Sequence, residues 1–389
     1  MAQPAHLTSA LVAQRLLRLS YVGFVSLGLP DTVLGAAWPA MRRELGLPLD
    51  AAGAALLLTT VGVVLSSSTS SLLRSRWGTG SVLIGSTLLA ATALLSTALA
   101  SHWSQVLVAA LLAGLGGGAI DASLNDHVAR HFGARQLSWL HACWGVGAAT
   151  APLVVASVLA SGTSWRYAYG ALAGAEALLS LSFLRTAALW QDLAPAKPQH
   201  AALEHGRLRW PMVASVLLFF LYGGLEAGAG LWTSSLLIGT RSTSPAVAGA
   251  AVALFWAALT VGRIASGLRA DAIGPARALR FATYSALLAA SLLALPGTPL
   301  WFAALALTAL GLALAPIYPL AMHDTSSRFG VVWGTRLVGY QVAGASVGVA
   351  TLPWVLGALA ERLSLLVLPV LFVLLALSLI GLQHARQKS

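Results

Sequence analysis

Five carboxylic acids fall in stretches of sequence that are otherwise apolar: Asp31, Asp121, Asp126, Glu176 and Glu226. One arginine, Arg263, does the same. An ionisable side chain in such a setting costs roughly 2.5–3.5 kcal/mol on insertion scales, so it faces a partner or a water-filled cavity and marks an ion or substrate path. Removal from water disfavours the charged form of a carboxyl. An acid poised in this way can load and release a proton as its surroundings change. Asp31 lies near the middle of its apolar stretch and Asp121 toward the end of its own. Both are expected to border one central cavity and to carry proton coupling. The competing readings are a neutral packing acid for Asp31 and a structural pair or cap for Asp121. Sodium, held by Asp31 with backbone carbonyls, is the other coupling ion this chemistry allows. Asp126, beside His127 and Arg130, reads as part of a charge network with a gating role. Glu226 reads as a substrate acceptor or a second proton site. Glu176, among small neighbours, reads mainly as a packed acid. Arg263 requires a carboxylate or carbonyl partner and is assigned to structure or gating.

Neutral polar and aromatic residues complete a possible binding site. A polyhydroxylated solute is held by hydrogen bonds to its hydroxyls and by flat aromatic surfaces. The residues of those types in apolar stretches are Asn125, His141, Trp144, Trp232, Trp256, Tyr340 and Gln341, with Tyr222 and Tyr318 as further candidates. Together with Glu226 they form the expected substrate-binding set. Trp103, Trp165 and Trp301 sit where interfacial anchors belong.

The elements that must position these groups follow from composition. The 389 residues are 58% hydrophobic and 9% charged, against about 25% charged in soluble domains. At about 20 residues per crossing, the apolar runs give twelve spans: 17–41, 51–73, 79–99, 105–127, 137–160, 166–186, 210–236, 245–268, 276–295, 299–322, 334–359 and 363–383. The longest polar break separates six spans from six. This predicts an all-α polytopic membrane protein with an N-terminal half over 1–186, a linker over 187–209 and a C-terminal half over 210–389. Of 23 lysines and arginines, 17 fall on one side of the spans and five on the other, with Arg263 between. The positive-inside rule then places both termini and the linker in the cytoplasm, in the cell's inner membrane. The net charge of +11 is accounted for in the same way, and nucleic acid is not an expected partner.

The two halves repeat. Asp31 aligns with Glu226, Gly35 with Gly230, Gly53 with Gly249, Gly78 with Gly274, His141 with Gln341 and Pro152 with Pro353. The offsets drift slowly in one direction. Two like-oriented six-span halves are the pattern of the major facilitator transporters. The loop after the eighth span reads G-L-R-A-D-A-I-G, so Gly267, Asp271 and Gly274 resemble that superfamily's loop signature. In its first-half copy Ser71 and Ser75 replace the first Gly and the Asp. The resemblance implies that Gly267, Asp271 and Gly274 help gate the cytoplasmic side, together with Asp126 and Arg263, and that the second half carries more of any lock. Within the superfamily the chain resembles the fucose permease branch of sugar–proton symporters. The segments concerned are L-G-L-P-D with Asp31 and D-A-S-L-N-D with Asp121 and Asn125, with His141 where that branch has a sugar-contacting polar group. Asp121 stands where the branch has Glu, and Asp126 where it has Pro, which leaves the substrate free to differ.

Other chemistries lack their context. Gly344-Ala345-Ser346-Val347-Gly348 matches a hydrolase elbow but lies inside an apolar helix, where small residues serve packing. Lys197 and Lys388 are the only lysines and neither follows glycine, so there is no P-loop. Cys143 is the single cysteine. No enzyme activity, cofactor or metal is expected. The sequence points to a monomeric secondary transporter moving a small sugar-like solute by proton symport with alternating access. The alternative is proton-driven efflux of drugs or metabolites. Against it stand a fourth span without Arg before Arg130 and a fifth without the G-P-x-x-G-G-like end of such exporters.

Overall fold

The computed structural model describes residues 5–190, 209–329 and 331–387; the side chains of 5–10, 134, 267–273, 275, 326–327, 331–335 and 387 fall outside the description. The apolar runs wind into helices because, in hydrocarbon, every backbone N–H and C=O must be satisfied within its own segment. The first half holds α1 (Ala5–Leu45), α2 (Ala51–Trp77), α3 (Thr79–Leu99), α4 (Trp103–His131), α5 (Ala134–Ala160) and α6 (Trp165–Thr186). The second holds α7 (Trp210–Arg241), α8 (Pro245–Ile273), α9 (Pro275–Leu293), α10 (Leu300–Leu314), α11 (Ile317–Phe329), α12 (Val331–Arg362) and α13 (Val367–Gln387). Among the described residues eleven stretches are long and apolar enough to cross a membrane, α10 and α11 counting as one. The twelfth crossing is α9, whose apolar run is diluted by Arg277 and Arg280 near its start. The expected all-α, twelve-crossing architecture is therefore present.

The tenth span, expected as one helix, is two. It breaks at Ala315-Pro316, because proline has no N–H to donate and its ring clashes with the preceding turn. The break carries Tyr318 in the first turn of α11. In α1, Pro30 stands immediately before Asp31 and removes one backbone hydrogen bond there. Ala187–Leu189 form a 3-10 turn, and Trp190 is buried against Phe183 and His127. Most of the expected linker, 191–208, lies outside the described residues.

Repeat partners occupy matched places. Gly78 joins α2 to α3 at φ 79° and Gly274 joins α8 to α9 at φ 80°, a conformation that glycine adopts without steric cost. A side chain at Gly35 would collide with the backbone of its own partner, Gly230, where α1 crosses α7. Gly53 on α2 packs against Trp354 of α12, and Gly249 on α8 against Ala156 of α5. These four glycines therefore lie on the seams between the halves. A further seam lies within the first half, where Gly147 of α5 meets the Val25 carbonyl and Gly28 of α1 meets the Trp144 carbonyl. Gly147→Ala is expected to force α1 and α5 apart and cost about 1–3 kcal/mol, as overpacking does. Gly85→Ala, whose added methyl meets nothing within 4 Å, is expected to change stability little. Denaturant unfolding of both variants in detergent makes the comparison.

The halves meet firmly at one end. The Leu49 backbone N–H donates to Glu361 Oε2 at 2.7 Å, and Arg42 lies 3.9 Å from the same carboxylate. Trp38 Nε1 donates to the Leu49 carbonyl at 3.0 Å and fixes that loop. Val342 lines the space between the halves yet is 43% exposed, and Asp31, in mid-helix, is exposed as well. The space opens toward the end where α1 begins.

Candidate functional site

A cavity of about 370 Å3 occupies the seam, within the range that holds a small ligand. Its walls come from both halves. Asp31, Thr59, Thr60, Thr97, Trp144 and Tyr169 are contributed by the first, and Glu226, Trp256, Tyr318 and Ser346 by the second. Hydroxyls and carboxylates supply acceptors and donors, and the aromatic rings supply flat apolar plates.

One polar chain starts at the wall of this cavity and runs behind it into the second half. Trp144 Nε1 donates to Asp31 Oδ2 at 2.9 Å. The Arg263 guanidinium lies 5.6 Å from the centre of the Trp144 ring, a cation–π distance. Arg263 Nη2 donates to Glu226 Oε2 at 2.9 Å and to the Tyr222 hydroxyl at 3.1 Å. The Tyr222 hydroxyl in turn donates to Glu226. Trp256 stands edge-on to Trp144 at 5.7 Å, and Tyr318 packs at 5.8 Å from Tyr222. The repeat partners Asp31 and Glu226 thus face one cavity from opposite halves, and the arginine assigned to structure or gating is the counter-ion of the second.

Four residues of the expected set line this cavity, Asp31, Trp144, Glu226 and Trp256, as does the further candidate Tyr318. Asp121 does not line it. It accepts from Asn125 Nδ2 at 3.0 Å, one turn along α4, and lies within Coulombic range of Asp31. Asn125 is thereby occupied as a partner of Asp121. His141 is exposed and edge-on to Phe24 at 5.5 Å, outside the cavity's lining.

Three expectations are corrected. Trp232 is fully buried and donates Nε1 to the Pro353 carbonyl at 2.9 Å, so it fastens α7 to α12 and touches no cavity. Gln341 is also fully buried, with Nε2 donating to Ser215 Oγ at 2.7 Å and Thr325 Oγ1 at 2.9 Å. A complete set of hydroxyl partners turns it into a lock between α7, α11 and α12, unlike its repeat partner His141. Tyr340 is 51% exposed and off the cavity wall. It precedes Val342 by two residues, which turns it about 200° away on a helix of about 3.6 residues per turn.

At the end where α1 begins, Asp126 pairs with Arg74 of α2 and, at 2.8 Å, with Arg130. This is the expected charge network. Its copy in the second half escapes the sequence reading: Asp324 pairs with Arg328 at 2.9 Å and with Arg386 of α13 at 3.1 Å. A signal for it exists, since D-x-x-x-R occurs at the same place in both halves. So the first half keeps an ion-pair clamp although Ser71 and Ser75 replace its loop signature. The side chains of Gly267 and Asp271 lie outside the described residues. Thr59, Thr60, Thr97, Tyr169 and Ser346 are further cavity residues that the sequence does not single out. Nothing but helical register distinguishes them from packing, and Ser346 belongs to the small-residue run with the hydrolase-like spacing.

The family model described as Major Facilitator Superfamily matches residues 21–348. Among curated proteins, the glucose/mannose transporter GlcP of Bacillus subtilis (strain 168) is 22% identical over 300 residues, covering 72% of each chain. Among solved structures, a point mutant of the nucleoside transporter NupG superposes with TM-score 0.77 at 14% identity, covering 97% of this chain and 99% of that one. A bacterial homologue of the human lysosomal transporter Spinster, in an inward-facing and occupied conformation, also gives TM-score 0.77, at 12% identity, covering 100% of this chain and 97% of that one. These structural likenesses concern the fold. With the family model spanning most of the sequence and the helices laid out as two matched halves around a cavity, the chain belongs to the major facilitator superfamily.

Proposed function

We propose that this protein is a secondary active transporter that carries a small polyhydroxylated solute, a sugar or sugar-like compound, together with a proton. The observation that carries the reading is the pairing of aromatic plates, Trp144, Trp256 and Tyr318, with two acids from opposite halves, Asp31 and Glu226, around one cavity. The rings offer stacking surfaces for a sugar face, and Glu226 and the threonines offer partners for its hydroxyls. The similarity to a glucose/mannose transporter supports the same solute class. Asp31 carries the proton and Asp121 relays it toward the charged end. The halves, 1–186 and 210–389, rock about the seam glycines while 187–209 tethers them. The excess of Lys and Arg on one side supports a cytoplasmic position for both termini, in the inner membrane.

The test has two steps. Thermal shift of the purified protein against sugars, polyols, nucleosides and amphiphilic drugs identifies the ligand class, because a bound ligand stabilises by RT ln(1 + [L]/Kd). A ligand at about 100 times its Kd is expected to add about 2.7 kcal/mol. The ligand is then added to lightly buffered cells making the protein. Alkalinisation of the medium, as proton and solute enter together, is the expected result. Stabilisation by amphiphilic drugs alone, with no alkalinisation, would replace this reading with proton-driven efflux.

A further inference from the structure

Trp144, in the first half, touches ionic groups of both halves. Its indole N–H donates to Asp31 at 2.9 Å, and its ring face carries the Arg263 guanidinium at 5.6 Å. Arg263 is the counter-ion of Glu226. The other titratable or charged groups around this contact are Tyr222 on α7, which hydrogen-bonds both Arg263 and Glu226, Asp121 on α4, His141 on α5 and Tyr318 on α11. Of the groups named, only Trp144 is in direct contact with both Asp31 and the Arg263–Glu226 pair.

We propose that Trp144 is a positioning residue that transmits the proton state of Asp31 to the Arg263–Glu226 pair, and so couples proton binding in one half to the solute site in the other. The inference rests on the proton-symport reading above. An indole N–H can only donate. A charged Asp31 accepts it in a charge-assisted hydrogen bond, about twice as strong as a neutral one. When a proton from the open side adds to the Asp31 carboxylate and forms an O–H, that bond weakens and the new hydroxyl finds no acceptor on the indole. The ring is then held only by the weaker bond to the remaining carbonyl oxygen and turns more readily. Because its face seats Arg263, a turn of the ring changes the guanidinium's hold on Glu226 and exposes carboxylate oxygens to a solute hydroxyl. The solute thus meets a prepared site only after the proton has arrived.

The experiment measures protons and solute moved together in the same reconstituted vesicles, using the sugar found by thermal shift. The wild type is expected to move about one proton per solute. Trp144→Phe keeps an aromatic face and removes the donor; its proton-to-solute ratio is expected to fall below half that of wild type, whatever its absolute rate. If Phe leaves too large a gap for folding, 3-benzothienylalanine placed at position 144 by nonsense suppression keeps the bicyclic shape and replaces N–H with sulfur, and the same fall is expected. A slower variant that keeps the wild-type ratio makes Trp144 a plain wall of the binding site and overturns the proposal. A wild type that moves solute without protons would instead defeat the symport reading itself, so the two failures are told apart.

Discussion

Asp31→Asn is expected to abolish accumulation of solute against a gradient while exchange of labelled for unlabelled solute remains measurable. One proton crossing with a neutral solute gains about 2.3 kcal/mol per 100 mV, which corresponds to roughly 50-fold accumulation at about 1.36 kcal/mol per decade. Asparagine has nearly the shape of aspartate, and its carbonyl oxygen can still accept from Trp144. It cannot gain or lose a proton. The cavity keeps its wall and loses its coupling, so the internal concentration should stop at the external one. Uptake into proteoliposomes under an imposed potential measures this. If Asp31→Asn still concentrates solute about as well as wild type, Asp31 is not the coupling acid and Asp121 becomes the residue to replace.

Removing one member of the Arg263–Glu226 pair is expected to be the most damaging single change to stability near the cavity. Arg263→Met leaves Glu226 with only the Tyr222 hydroxyl, and breaking a buried pair costs about 3–5 kcal/mol. The lower end applies, because the Arg263 side chain retains 29% of its exposure and Glu226 13%. The double variant Arg263→Met with Glu226→Leu is expected to recover most of that loss, since apolar replacement of a whole pair is often neutral. Unfolding of the single and double variants in detergent forms the cycle. If the double variant is no more stable than Arg263→Met, the pair is not the source of the loss.

The fold is legible in the sequence because hydrocarbon leaves little choice. A run of about 20 apolar residues must be a helix, and the repeat tells which helices correspond. The break at Pro316 escapes because its flanks are apolar on both sides and a length criterion does not see a proline. The site is legible where charge is expensive: Asp31, Glu226 and Arg263 stand out against apolar neighbours, the two acids line the cavity and Arg263 pairs with the second of them. It is illegible where polarity is cheap. Gln341 and Trp232 are polar groups in spans like the true wall residues, but each finds its partners inside the protein, at Ser215, Thr325 and the Pro353 carbonyl. Sequence shows that a group needs a partner without showing whether protein or solute provides it. Likewise Arg263 reads as structural because its distance from Glu226 along the chain hides that one lies over the other.

The Glu361 junction has a practical consequence. With Leu49 and Arg42 both gathered by that carboxylate, the molecule in this state presents its cavity to one compartment alone. A membrane-impermeant ligand of the cavity would therefore act with a sidedness. Applied where α1 begins it would reach Asp31 and Trp144. Applied at the Glu361 face it would find a sealed surface, until the junction parts in the transport cycle.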